Sequence, residues 1–123
     1  MPPVQGFVQR SGQQLLLNGA PYRIAGANNY YLAYTQQEVQ TAVLDLAARL
    51  NLNSMRIWAF LDAPAPKAND VYFQFWNEAN QAPDYHDGPD GLERLDRAFA
   101  LAGARGRRRL LTPSHNCADV RGM

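Results

Sequence analysis

Arg56 lies in the run Ser54-Met55-Arg56-Ile57-Trp58-Ala59-Phe60, which is otherwise almost wholly apolar. Strand residues alternate between faces, so Ser54, Arg56 and Trp58 share one side of it. A guanidinium on the inward side is expected to be buried, and burial is costly unless a carboxylate pairs with it. The plainer reading of the same pattern is an arginine that snorkels to a rim. Flat aromatic side chains are the other candidate chemistry. Six Tyr, five Phe and two Trp are crowded into the first hundred residues, several in loop-like stretches, and flat aromatic faces also suit the apolar C–H face of a pyranose. Packing in a core or at a rim explains each of them equally well when taken singly.

Other chemistries find little support. His86 and His115 are too few and too scattered for a metal site, and His115-Asn116-Cys117 alone is weak. Cys117 is the single cysteine, so no internal disulfide framework exists, and no neighbouring base marks it as a nucleophile. Gly103-Ala104-Arg105-Gly106 lacks the spacing of a phosphate loop. No metal and no cofactor is expected. Twelve basic residues face eleven acidic ones, a balance that gives no general field for nucleic acid or anionic lipid. No apolar run approaches the ~18 residues of a membrane span. Met1-Pro2-Pro3-Val4-Gln5 has neither a basic nor an apolar signal region, so no secretory signal is expected there.

The elements that would position these residues follow from pattern. Gln14–Leu17 and Tyr22–Ala25 flank Asn18-Gly19-Ala20-Pro21, a hairpin turn signal, and Gly26 is expected to break the second strand. Thr35-Gln36-Gln37-Glu38 reads as a capping box. Behind it Val39, Ala42, Val43, Leu46, Ala47 and Leu50 form one apolar helical stripe. Residues 61–89, with their prolines and their Asp and Asn residues, read as a long loop. A second helix is expected from Asp90, with Leu92, Leu95, Phe99 and Ala102 on one face and Gly103 and Gly106 at its end. Arg109-Leu110-Leu111-Thr112 completes the series as a strand. Strands alternating with helices imply an α/β fold of parallel βαβ units. Three strands and two helices behind a hairpin make a partial (β/α)8 TIM barrel, since a whole one needs roughly 250 residues. The expected parts are a hairpin over 7–25, βα units over 24–50 and 54–103, and a strand over 109–113.

Three segments carry a resemblance. They are Ile24-Ala25-Gly26-Ala27-Asn28-Asn29-Tyr30-Tyr31-Leu32, Met55-Arg56-Ile57-Trp58-Ala59-Phe60-Leu61-Asp62 and Asp87-Gly88-Pro89-Asp90-Gly91-Leu92-Glu93-Arg94-Leu95-Asp96. In one register from Phe7 to Arg107, the chain resembles glycoside hydrolase family 5, and within it the endo-β-1,4-mannanases. The resemblance implies a secreted (β/α)8 barrel that hydrolyses mannan-type polysaccharide with retention, using two glutamates about 5 Å apart. Those glutamates belong to the fourth and seventh strands, so neither is expected within these residues. It also implies that Arg56 orients the nucleophilic glutamate, and that Asn28, Tyr30, Tyr31, Trp58 and Asn116 line the sugar cleft. Asn77-Glu78 mimics the dipeptide of the family's acid/base. Its register instead puts Glu78 in the loop between the second strand and the second helix, as a solvated carboxylate.

The last segment departs from the family. His115-Asn116-Cys117 stands where an Asn-Asn-Trp-like turn is expected, which removes an aromatic from the cleft. Gly106-Arg107-Arg108-Arg109 places three cations where a strand begins, and such a run reads first as a solvated face. Beside the mannanase reading stand a cellulase-like glycanase, a non-catalytic β-glycan-binding unit, and a self-associating one with open strand edges.

Overall fold

The computed structural model describes residues 6–114. Three short strands come first: β1 (Gln9–Ser11), β2 (Gln14–Leu17) and β3 (Ala20–Pro21). Then follow β4 (Gly26–Asn28), α1 (Gln37–Arg49) and β5 (Ser54–Trp58). The next segment holds β6 (Asp62–Ala63), β7 (Gln74–Asn77) and β8 (Ala82–Tyr85), before α2 (Leu92–Ala104) and β9 (Arg108–Thr112).

β1, β2 and β3 pair antiparallel. Asn18 and Gly19 turn between the last two with φ of 52° and 81°, the doubly positive pair of a tight hairpin. The main sheet is parallel, in the order β4-β5-β9, with a helix in each crossover. Gly26 opens β4 rather than ending a strand. It pairs with Ser54, and a Cβ there would lie 2.6 Å from the Ser54 carbonyl oxygen. Close approach of two backbones, not a turn, explains this glycine.

Both helices differ from their sequence reading in detail. The capping box does not form: Gln36 is the N-cap of α1, and no side chain caps it. Thr35 belongs to the preceding turn, where its N–H donates to the Tyr31 carbonyl. The buried face of α1 is Gln40, Leu44 and Ala47, while Val39, Leu46 and Leu50 of the expected stripe are exposed. A fully buried glutamine is tolerated here because every part of its amide is engaged. Gln40 Nε2 donates to the carbonyls of Leu32 and Arg94, and its Oε1 accepts from Arg97 Nε. α2 starts after Gly91, not at Asp90, and Gly103 lies inside it. Gly106, at φ 66°, follows its end. At Gly91 a Cβ would fall 1.9 Å from the His86 carbonyl oxygen, so no other residue fits.

Met55 and Ile57 of β5 face the helices, and there they meet Leu32, Leu44, Ala47, Ala98 and Ala102. Each large apolar side chain buried in this seam contributes about 1.5–3 kcal/mol. The segment expected as a long loop carries its own sheet. β6 pairs parallel with β7, and β7 antiparallel with β8. Pro83, one of the prolines of that segment, is accommodated in β8 because this strand lies at the sheet's edge, where a missing N–H is tolerated.

Candidate functional site

Parallel strands point one way, so their C-terminal ends and the loops behind them gather on one rim. Asn28 ends β4, Trp58 ends β5 and Thr112, the partner of Trp58, ends β9. The Asn29 N–H donates to the Arg56 carbonyl at 2.9 Å, and the Ala59 N–H to that of Thr112 at 2.9 Å, which extends the ladder into the loops.

An aromatic surface covers this rim. The rings of Tyr30 and Trp58 lie 5.1 Å apart, and those of Trp58 and Phe60 stack at 4.6 Å. Tyr31 meets Tyr30 edge-on at 5.4 Å, while Tyr34 lies between Trp58 and Phe73. Tyr30 is 51% exposed and Tyr31 40%, so both keep faces toward solvent, whereas Trp58 is half-buried. Tyr34 Oη donates to the Phe60 carbonyl at 2.6 Å. Burial, then the charge of Asp62, then Tyr30, hold its phenol well above the ordinary tyrosine range. It is therefore a neutral donor that ties the loop after β4 to the loop after β5.

The loop carrying these tyrosines is clamped from α2. Arg94 Nη1 donates to the Tyr34 carbonyl at 2.6 Å, and Arg97 Nη2 to that of Thr35 at 3.4 Å. Arg94 is itself fixed by Asp90, at 2.7 Å. Gln40 takes the Leu32 carbonyl from the other side, at 2.8 Å. The two helices thus hold the backbone of the turn that follows the exposed rings, which limits the movement of a stacking surface.

Ser54, Arg56 and Trp58 share a face opposite Met55 and Ile57, as alternation requires. The guanidinium of Arg56 is nevertheless exposed rather than buried, which corrects the sequence expectation. It meets a neutral amide, Asn28 Oδ1, at 3.3 Å. Arg56 lines an open concavity, bordered by Val8, Tyr22 and Ile24 as well as by β4, β5 and β9. That concavity measures about 370 Å³ and is lined by residues including Tyr22, Ile24, Asn28, Ser54 and Leu110.

Glu78 sits in the turn of the β7–β8 hairpin. Its carboxylate oxygens accept from Trp76 Nε1 and Gln81 Nε2, each at 2.9 Å. Trp76 stands on that hairpin too, and among the described residues its ring is not one of those in contact around Trp58. Asn116 lies outside the described residues. Among the described residues, no cluster of three His, Cys, Asp or Glu could hold a metal, and no helix is long and apolar enough to cross a membrane. Sequence reasoning missed Phe60 and Tyr34. Phe60 was available from alternation, two residues beyond Trp58; Tyr34 gave no periodic signal, because it sits in an irregular turn.

A parallel α/β unit with its aromatic residues at the C-terminal strand ends has the layout of barrel enzymes that bind substrate on that face. No protein-family model matches the chain. It is 30% identical to mannan endo-1,4-beta-mannosidase F of Aspergillus fumigatus, over 95% of this chain and 27% of that protein. With mannan endo-1,4-beta-mannosidase A of Podospora anserina it shares 31% identity, over 92% of this chain and 30% of the relative. The crystal structure of the endo-1,4-beta-mannanase from Rhizomucor miehei superimposes at a TM-score of 0.85, with 31% identity, over 96% of this chain and 32% of that one. A Thermotoga petrophila endo-beta-1,4-mannanase follows at a TM-score of 0.62, with 27% identity, over 86% and 23%. The chain is mannanase-like along nearly its whole length, and spans about a quarter to a third of the relatives it matches.

Proposed function

We propose that these residues form one wall of the substrate cleft of a retaining endo-β-1,4-mannanase. The observation that carries this reading is the braced aromatic rim, in a backbone that follows a mannanase at a TM-score of 0.85. Tyr30, Tyr31 and Trp58 supply apolar faces for pyranose rings, and Asn28 supplies a hydrogen-bonding amide. Arg56, on the same face of β5 as Trp58, orients the nucleophilic carboxylate once that group is brought against it. Glu78 acts as a loop carboxylate. A polymeric mannan is met outside the cell, so the same reading places the protein there.

The 123 residues by themselves are expected to bind mannan and to hydrolyse it weakly or not at all. Affinity electrophoresis in soluble galactomannan and glucomannan should retard the wild type and not Trp58→Ala, and reducing-end release should stay near background. Equal mobility of the two proteins in polymer and in its absence would sink the reading. Retardation by soluble cellulose derivatives in place of mannan would move it to a cellulase-like glycanase.

A second reading rests on a different observation. Ile24, Leu50 and Leu110 are each more than half exposed, and β4 and β9 both present an open edge among the described residues. Such edges pair readily with other strands. Self-association would show as concentration-dependent mass in light scattering; a constant monomer mass over the same range would dismiss it.

A further inference from the structure

The register of β6, β7 and β8 sorts their side chains by face. Asp62 pairs with Gln74, and Gln74 with Tyr85, so these three stand in one row across the strands. Trp76 pairs with Pro83 two residues further on, and alternation returns that pair to the same face. Ala63 and Phe75 alternate to the other face, where Ala63 is buried and Phe75 meets the buried Tyr72 edge-on at 5.9 Å. The first face is therefore the outward one, and it carries large rings into water. Trp76 is 40% exposed and Tyr85 65%, with Pro83 exposed beside both.

Two small hollows lie along this face. One, of about 120 Å³, is lined by residues including Asp62, Gln74, Trp76 and Pro83. The other, of about 110 Å³, is lined by residues including Phe60, Asp62, Gln74 and Tyr85. Asp62 and Gln74 thus line both, and Phe60 is the ring stacked on Trp58 at 4.6 Å. Asp62 also lies near enough to Tyr34 for its charge to act on that phenol. The aromatic rim is therefore continued, through Phe60 and the Asp62–Gln74 row, onto the hairpin. The polar edge of Trp76 is already engaged there. Its Nε1 donates to one Glu78 oxygen, and the other accepts from Gln81, each at 2.9 Å. What Trp76 offers a ligand is the face of its ring.

We propose that this outward face is a second station for the β-mannan chain, supplied by Trp76 and Tyr85, which makes the protein prefer long chains to short ones. The inference rests on the reading of the rim as a glycan surface. Two exposed rings suit the apolar faces of successive sugars, while the Gln74 amide and the Asp62 carboxylate beside them suit hydroxyl groups. From Gln74 to Trp76 is a step of about 7 Å along β7, so the two hollows can take neighbouring parts of one chain. A short sugar occupies the rim alone. A long one reaches both stations, the second at the high effective concentration that the first creates.

The chain holds two tryptophans, so the indole N–H resonances of Trp58 and Trp76 report rim and hairpin separately. The test is a titration of the full chain with mannobiose, mannotetraose and mannohexaose, with maltohexaose as the control. Mannobiose should move the Trp58 indole alone. Mannohexaose should move both and bind about tenfold tighter, the scale of one additional stacked ring. Trp76→Ala and Tyr85→Ala should each remove most of that gain and leave the affinity for mannobiose at the wild-type value. A merely structural role for these rings would not produce such a split. Trp76→Phe should restore part of the gain. Should a variant not fold, the wild-type indole map alone decides. Trp58 moving with every length while Trp76 stays still would overturn the second station and leave the rim reading intact. If no manno-oligosaccharide moves either indole, or maltohexaose moves both equally well, the two readings fail together.

Discussion

Gln40 Oε1 accepts a hydrogen bond from Arg97 Nε at 2.7 Å, inside the seam between α1 and α2. That contact joins two residues 57 positions apart in sequence, one on each helix, and completes the amide's engagement with the Leu32 and Arg94 carbonyls. Gln40 fixes at once the helix pair and the loop that carries Tyr30 and Tyr31.

Gln40→Leu should therefore destabilise the chain by about 2–3 kcal/mol, because it strands a charged donor and two carbonyls out of water. Urea unfolding would show a lower midpoint at an unchanged slope. A midpoint equal to that of the wild type would mean that water replaces the amide without loss.

Trp58→Ala removes contacts with Tyr30, Tyr34 and Phe60 together. The expected cost is about 3 kcal/mol of stability, from lost packing and the space left behind. Binding to mannan should fall with it. Trp58→Phe should recover most of the stability, so thermal melting of the pair separates ring packing from the sugar contact read by electrophoresis.

Tyr34 links stability to alkaline pH. Its folded pKa lies above the ordinary value of 10.0, so above pH 10 the unfolded chain releases a proton that the folded chain keeps. The contribution is intact below pH 10 and shrinks as pH rises beyond it. Tyr34→Phe should flatten this part of the decline in a comparison of urea midpoints at pH 8 and pH 11. At pH 8 it should itself cost about 1 kcal/mol, for the lost bond to the Phe60 carbonyl. Parallel pH profiles for the two proteins would contradict the assignment.

Gly26→Ala should be poorly tolerated, since its Cβ would press on the Ser54 carbonyl at 2.6 Å. Gly88→Ala is the matched control, its nearest contact being an ordinary 3.8 Å to His86 Nε2. Circular-dichroism melting should place the first several degrees below the second; equal midpoints would show that β4 shifts freely.

How much of this was legible in the sequence depends on the range of the interaction concerned. The Asn18-Gly19 turn, β5 with its alternating faces and the mannanase-like segments were readable, because neighbouring residues determine them. The buried face of α1 was not. Periodicity counts Gln40 as polar, and only Arg97 and Arg94, far along the chain, make its burial favourable. Gly26 misled for the same reason, since its cause is the Ser54 carbonyl across the sheet. The face of Arg56 was read correctly and its burial was not, because exposure depends on what covers a strand as well as on the strand itself. Of the expected cleft residues, Tyr30, Tyr31 and Trp58 gather on one rim and Asn28 ends the adjoining strand; Glu78, expected in the loop between the second strand and the second helix, lies in the β7–β8 turn.

The β7–β8 hairpin closes its own tip: Asn77 Oδ1 accepts from the N–H groups of Ala79 and Asn80, and Gln81 bonds back to Glu78. Such a self-sufficient turn asks nothing of the parallel sheet. Its length is thus a free variable, open to extension or trimming by a few residues without re-registering any neighbouring strand. It is the natural place to graft a reporter peptide or a fluorophore and leave the rest of the architecture undisturbed.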